Sequence, residues 1–303
     1  MNRFGFHTIL CLAFVLSACN DTSVIPIEDQ APSAQVVKLI LEPNTISTAY
    51  CNRTAGITQP FLLETNVKLW IKPKNKSVWE SFGIANPGIY QWNCSLKPRD
   101  SFSLRYHGIL DSFEIHEVVP SLVVLNAVDT STSIVPGIGK TQVFTFKFKD
   151  SAIYKNYYQI WLKRNYQKYT YTQGNSTPTD SQLISEIMRI DGNELPFIRN
   201  AYNNYTDRSI LFSDEIFNGV HVEFQCHNLK PWQNSTGEKT LSVELILENL
   251  SESVYNYLNT EAAHLWKKQS ITQLPNPLFS NVPKGFGIVG AKTSTKRIIV
   301  YRN

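Results

Sequence analysis

Along much of this chain apolar side chains recur at every second position in short runs, and prolines or glycines separate the runs. Such alternation sends successive side chains to opposite faces of an extended strand. Val36-Val37-Lys38-Leu39-Ile40-Leu41 is the first run. Val67 to Lys72, Gly88 to Trp92 and Ser101 to Tyr106 follow, divided by Pro73, Pro87 and Pro98. In the last of these, Phe102, Leu104 and Tyr106 share one face, which is expected to lie in a core. Short strands at this spacing predict an N-terminal immunoglobulin-like β-sandwich over residues 35–120.

A second series of strand-like runs starts near Leu122 and includes Thr141 to Lys149, Tyr157 to Lys163, Val220 to His227 and Leu241 to Glu248. The stretch Ser176 to Asp180 is loop-like, and Ser181 to Ile190 is expected to form a short helix. A clearer helix follows Ser251, a plausible N-cap, with Glu252 in the first turn and Val254, Leu258, Ala262 and Leu265 at helical spacing. Lys267 and Lys268 then sit where the helix dipole favours cations. Residues 121–303 are thus expected to form a second β-rich domain with a C-terminal helix. The fold class is mainly β.

The beginning of the chain breaks this pattern. Arg3 precedes a mostly apolar run from Phe4 to Leu16, shorter than the roughly 20 residues that span a bilayer. Leu16-Ser17-Ala18-Cys19 is similar to a bacterial lipobox, in which small residues admit a peptidase and the cysteine receives diacylglycerol. Residues 1–18 are therefore expected to be a lipoprotein signal peptide, and Cys19 to carry acyl chains such as palmitate that tether the protein to a membrane. Residues 19–34, with Pro26 and Pro32, suit an extended tether. Asn20 follows the cysteine instead of the aspartate associated with inner-membrane retention, so the outer membrane is expected, on its periplasmic face or at the cell surface.

The charge is modest. There are 29 basic and 25 acidic side chains, a net +4 that becomes +3 once Arg3 is removed with the signal. So small a balance, without a basic stripe, argues against a nucleic-acid partner. Beyond the signal and Cys19, the cysteines are Cys51, Cys94 and Cys226. An oxidising compartment permits a Cys51–Cys94 bridge, with Cys226 left as a buried thiol. Three cysteines make neither a disulfide scaffold nor a zinc site.

Candidate chemistry is sparse. Gly285-Phe286-Gly287-Ile288-Val289-Gly290 lacks phosphate-loop spacing, and its glycines suit positive φ or close approach to a strand. His221 and Glu223 share a strand face, but two ligands do not complete a metal site. Asp214 and Glu215 are adjacent and expected to diverge, with Asp214 turning the chain before Asn218-Gly219. No catalytic residue, cofactor site or metal site is assigned. In the aromatic run, Tyr158, Ile160 and Leu162 read as core, while Tyr157 and Trp161 on the other face either form a platform for a ligand or partner or simply pack.

Several motifs carry a resemblance. Phe148-Lys149-Asp150, Asn156-Tyr157-Tyr158, Phe212 to Gly219, Ser251 to Tyr257, Asn281-Val282 and Gly285 to Gly290 resemble the Bacteroidota lipoproteins of the domain of unknown function 4249 family. Val289 replaces the family's usual aromatic, and the N-terminal part matches in pattern only. The resemblance implies an outer-membrane lipoprotein that works beside a TonB-dependent receptor, with no established catalytic residues. The expected function is non-enzymatic: an accessory that binds a small-molecule, glycan or peptide ligand or docks on the receptor. A cell-envelope hydrolase acting on a polymer or peptide is the alternative, although no Gly-x-Ser-x-Gly or metal-hydrolase motif occurs.

Overall fold

A computed structural model of the chain describes residues 33–54, 62–135, 137, 139–171, 177–191, 209–215, 217–228, 237–268 and 277–301. The expected signal peptide, Cys19 and most of the tether lie outside them. The first part of the described chain forms β1 (Gln35–Leu41), β2 (Ile46–Arg53), β3 (Leu62–Leu63), β4 (Lys68–Pro73), β5 (Glu80–Ser81), β6 (Gly83–Asn86), β7 (Ile89–Asn93), β8 (Ser101–His107) and β9 (Ser112–Val118). Then come β10 (Leu125–Val135), β11 (Gly139–Lys149), β12 (Tyr157–Thr170), β13 (Asp180–Ile187), β14 (Ile190–Asp191), β15 (Ile210–Ser213), β16 (His221–Asn228) and β17 (Glu238–Leu250). Helix α1 (Glu252–Lys268) and the long strand β18 (Phe286–Val300) complete them.

These strands make three sheets. The largest runs in the order β13-β12-β17-β18-β1-β2-β7-β6, with β15 on β12 and β3 on β2. The others are β10-β11-β16-β14 and β5-β4-β8-β9. Alternation sets the cores as the sequence predicts: Val37, Leu39 and Leu41 from β1 join Leu69 and Ile71 from β4 and Phe102, Leu104 and Tyr106 from β8 in one buried cluster. A second cluster unites Phe144, Phe146 and Phe148 of β11 with Tyr158, Ile160 and Leu162 of β12 and Val243, Leu245 and Leu247 of β17. Fully burying side chains of this size stabilises the fold by about 1.5–3 kcal/mol each.

Strand β18 belongs to both halves. Its first part pairs in parallel with β1, from Val36↔Phe286 to Leu41↔Ala291. The rest pairs antiparallel with β17, from Leu250↔Lys292 to Ser242↔Val300. Val289 and Ala291 thereby enter the first core. Gly287 permits the approach: its φ is +114°, and a Cβ there would lie 1.9 Å from the Val37 carbonyl oxygen. The glycine-rich segment therefore serves close packing, as its spacing suggested.

Helix α1 also matches the sequence. Ser251 occupies the N-cap position, its carbonyl accepting the first helical bond from Tyr255 N–H at 3.0 Å. Its hydroxyl accepts from Ala291 N–H at 3.2 Å, which ties the helix start to β18. Val254 and Ala262 are buried, and Leu258 packs on a third cluster that contains Tyr157, Leu250 and Ile288.

Two expectations are corrected. Ser181–Ile190 is not helical: β13 and β14 occupy it, and β13 pairs with β12 from Thr170↔Asp180 to Lys163↔Ile187. Leu183 and Ile187 stay exposed, so no buried stripe selects a helix, and the open edge of β12 supplies a ladder instead. The Cys51–Cys94 bridge is also absent, both thiols being free and buried. In the β2–β7 ladder Cys51 N–H bonds the Gly88 carbonyl, whereas Cys94 N–H bonds that of Thr45. The cysteines thus sit at opposite ends of the ladder, roughly 20 Å apart at about 3.4 Å per residue, well beyond the roughly 7 Å limit for a bridge. Burial pushes the Cys51 thiol up to about 12 and raises that of Cys226 as well.

Candidate functional site

Two sequence motifs meet in a buried polar knot where β11 ends, β12 begins and β15 turns. The Asp150 carboxylate accepts hydrogen bonds from the Tyr158 hydroxyl, from Asn156 Nδ2 at 3.2 Å and from Gly219 N–H at 2.7 Å. Asp214 accepts from Asn156 N–H at 2.7 Å and from its Nδ2 at 3.0 Å. Gly219 has φ +79°, so the turn after Phe217 aims its N–H inward. Burial raises the Asp214 carboxyl, opposed by the bonds from Asn156. Burial and the contact with Asp150 raise the Tyr158 hydroxyl. Asp214 and Glu215 diverge as expected: Asp214 is buried, while exposed Glu215 pairs with Lys155 at 2.7 Å. Carboxylates so fully engaged hold three chain segments together and present no free base.

Above this knot lies an open cleft of about 630 Å³, within the size range of ligand sites. It is walled by the end of β9, residues 119–121, residues 154–157 and the β17–α1 junction. Asn249 lines it, with Nδ2 donating to the Ser121 carbonyl at 2.9 Å and to Asn156 Oδ1 at 3.3 Å. Its own Oδ1 is buried without a hydrogen-bond partner. Glu117 Oε1, on another wall, accepts from the Ser253 hydroxyl and from Asn281 Nδ2 at 3.2 Å. Asn281 in turn pairs with both backbone groups of Val289, at 2.7 and 2.9 Å, and so satisfies a stretch of β18 that, among the described residues, no strand covers on that side.

A second cleft of about 440 Å³ adjoins the first, sharing Ser101, His116, Glu117 and Val118. Lys72, Lys74 and Lys76 also line it. Lys72 lies over the Trp79 ring at 5.0 Å, and Lys76 is paired with Glu80. Between the two clefts, Ser103 Oγ is 2.7 Å from His116 Nδ1.

The residues singled out in the sequence are scattered over these features. Tyr157 is 6% exposed and packs on Tyr255, with ring centroids 4.7 Å apart, so it faces helix α1 and contributes to the first cleft's wall. Trp161 is half-buried on β12. Glu223 pairs with Lys147 at 3.1 Å, and among the described residues no three potential metal ligands come together. Arg99, Glu117, Lys74 and Asn249 are cleft residues that sequence reading passed over. Pro98-Arg99-Asp100 carries a turn signal, but nothing local marks the other three.

The family model for the domain of unknown function DUF4249 matches residues 29–298, nearly the whole chain. The chain belongs to that family. No curated protein matches it. Within the DUF4249 region the quoted motifs have physical roles: Asp150, Asn156 and Asp214 form the knot, Asn281 clamps β18, and Gly287 admits Val37. Among the described residues no helix is long and apolar enough to cross a membrane.

Proposed function

We propose that this DUF4249 protein is a lipid-anchored accessory of the outer membrane that serves a TonB-dependent receptor by binding its ligand or docking on it, without catalysing a reaction. The body is read as an immunoglobulin-like sandwich over residues 35–120, which the chain's last strand completes, followed by a second β-rich domain with a C-terminal helix. The observation that carries the reading is the lipobox-like Leu16-Ser17-Ala18-Cys19 ahead of a body whose buried carboxylates are structural. The open clefts beside them supply a place for a small molecule, glycan or peptide. Affinity purification of the intact protein from its native membrane in mild detergent tests this. A TonB-dependent receptor in stoichiometric amount is expected, and recovery of the protein alone would overturn the accessory role.

One observation favours the hydrolase alternative. Ser103 and His116 are in hydrogen-bond reach, and Glu114 lies 3.9 Å from His116 Nε2, an order of groups that could activate a serine. However, the His116 side chain is 73% exposed, and the same ladder repeats the contact at His107–Ser112, 2.5 Å. Directly opposed residues on neighbouring strands pair in this way without catalysis. Ester hydrolysis that disappears in Ser103→Ala would nonetheless decide for the enzyme.

A further inference from the structure

The two sheets that enclose the first core have unlike outer faces. Strand pairing sets Phe286, Val36, Asn52 and Leu63 side by side in one row, and Lys38, Tyr50 and Ile89 in the next. Directly paired residues share a face. Val37, Leu39, Ala49, Cys51 and Tyr90 alternate with them and enter the core, so both rows point outward. Phe286 is 54% exposed, Leu63 58% and Tyr50 48%. Along β1, β2, β7 and the part of β18 that pairs with β1, the outward positions hold one charged side chain, Lys38, and no acid. The facing sheet turns Lys68, Lys72, Arg105 and Glu114 outward instead. An exposed apolar patch with so little charge marks a contact with a protein or a membrane.

The place where the chain enters the body selects the occupant. Ala34 N–H donates to Thr54 Oγ1 at 2.8 Å, and the Ala34 carbonyl accepts from Thr54 N–H at 2.8 Å. The entry point is thus fixed two residues before Val36, about 7 Å along the strand from the first outward row. On the lipid-anchored reading Cys19 lies fifteen residues upstream of Ala34, and a flexible chain of that length keeps the patch within about 20–25 Å of the acyl chains. Such tethering raises the effective concentration of the bilayer at the patch. A second copy of the chain has no such enforced proximity.

We propose that the patch of Phe286, Val36, Tyr50, Leu63 and Ile89 rests on the lipid surface at the boundary of headgroups and acyl chains. Phe286 and Leu63 enter the boundary, and Tyr50 keeps its hydroxyl among the headgroups. Lys38, which among the described residues has no acidic partner, faces lipid phosphate, and the absence of outward acids avoids repulsion there. The contact adds to the anchor without replacing it, because three exposed side chains bury less apolar area than an interfacial helix. The body therefore still lifts away to meet a receptor. While it rests, the facing sheet points to solution, with the second cleft's Lys72, Ser103 and His116. The inference rests on the lipid-anchored reading, and its test separates the two.

Leu63→Cys and, as the control on the facing sheet, His116→Cys, whose side chain is 73% exposed, are each labelled with a polarity-sensitive fluorophore. Cys51, Cys94 and Cys226 are buried and escape the label. The full-length protein is purified from its native membrane and reconstituted with excess phosphatidylcholine vesicles, with or without brominated acyl chains. The label at residue 63 is expected to shift to shorter wavelength and to lose most of its emission to brominated lipid, while the label at residue 116 does neither. Adding Phe286→Ser and Tyr50→Ser should restore most of the lost emission with a melting temperature near the parent's, since both positions are about half-exposed. Quenching at both labels alike or at neither, or quenching that survives in a folded double variant, overturns the proposal. So does a label at residue 63 that is shielded from aqueous iodide yet untouched by brominated lipid, because another protein would then cover the patch. Mass spectrometry decides the anchor separately. An acylated protein with an unquenched label keeps the anchor and loses the patch, and a quenched label on a protein without acyl chains does the reverse.

Discussion

Gly287 shows how much one position can carry. Its backbone has φ +114°, and a Cβ would fall 1.9 Å from the Val37 carbonyl oxygen, a rigid group of the neighbouring strand. Gly287→Ala therefore combines backbone strain of about 1–3 kcal/mol with overpacking of about 1–3 kcal/mol. A loss of about 2–6 kcal/mol is expected in denaturant unfolding, and a variant within about 0.5 kcal/mol of the parent would contradict the close approach. Glu117 makes a subtler statement. Burial raises its carboxyl above the ordinary value of 4.5, against the hydrogen bonds from Ser253 and Asn281. A folded-state value above the unfolded one means that the folded protein holds the proton more tightly. The stability this contributes is fully present below the ordinary value and is lost as pH rises through the raised one. Glu117→Gln keeps an acceptor for Ser253 and Asn281 but cannot titrate. The fall in melting temperature as pH rises above the ordinary value of 4.5 should be shallower in the variant, with part of the slope left because Asp214 shifts in the same direction. Superimposable pH profiles would show that Glu117 is not desolvated as described.

At the scale of elements, β18 does what no earlier strand can. Six of its residues pair with β1 and nine with β17, so removing it opens ladders in both halves and uncovers Val254 and Leu250 beneath Ile288. Ending the chain at Leu250 also removes helix α1. A protein so shortened should lose cooperative unfolding and become sensitive to protease, because unpaired backbone and exposed core are both costly. Protease resistance equal to the parent's would make the C-terminal segment an appendage. The β1, β4, β8, β11, β12, β16 and β17 segments were legible from alternation alone, because each buries one face or both. Strand β13 was not, since its apolar residues face solvent and only the edge of β12 decides its state. The clefts were still less visible. They join Lys74, Arg99, Glu117 and Asn249, which are distant in sequence and meet only because the β8–β9 hairpin lies beside the start of helix α1. By contrast Asp150, Asn156 and Asp214 were visible as motif residues, but their role in a knot depends on burial that no local pattern states. Tyr157 stayed open between packing and a platform for a related reason: period two puts it opposite the Tyr158 face, and only the fold shows that α1 covers that face as well.

For the whole molecule, attachment decides where the clefts can act. On the proposed reading Cys19 carries two or more acyl chains, and each buried methylene contributes roughly 0.8 kcal/mol to membrane association, so two chains hold the protein stably where one would not. The charge of the body cannot substitute: a net +3 after signal removal attracts an anionic surface weakly and is screened within about 8 Å at physiological salt. If residues 19–34 serve as the tether on that reading, a flexible chain of their length reaches about 20–25 Å, enough for the body to stand clear of the headgroups and meet a receptor. Membrane residence should consequently depend on one sulfur. Cys19→Ala should yield a protein that keeps the parent's melting temperature but leaves the membrane fraction on washing at about 1 M salt, where the screening length falls to about 3 Å. Mass spectrometry of the parent should show acylation at residue 19 and none in the variant. Full retention of Cys19→Ala through the wash would mean that the body binds the membrane or a membrane protein by itself, and the tethered-accessory reading would then lose its anchor.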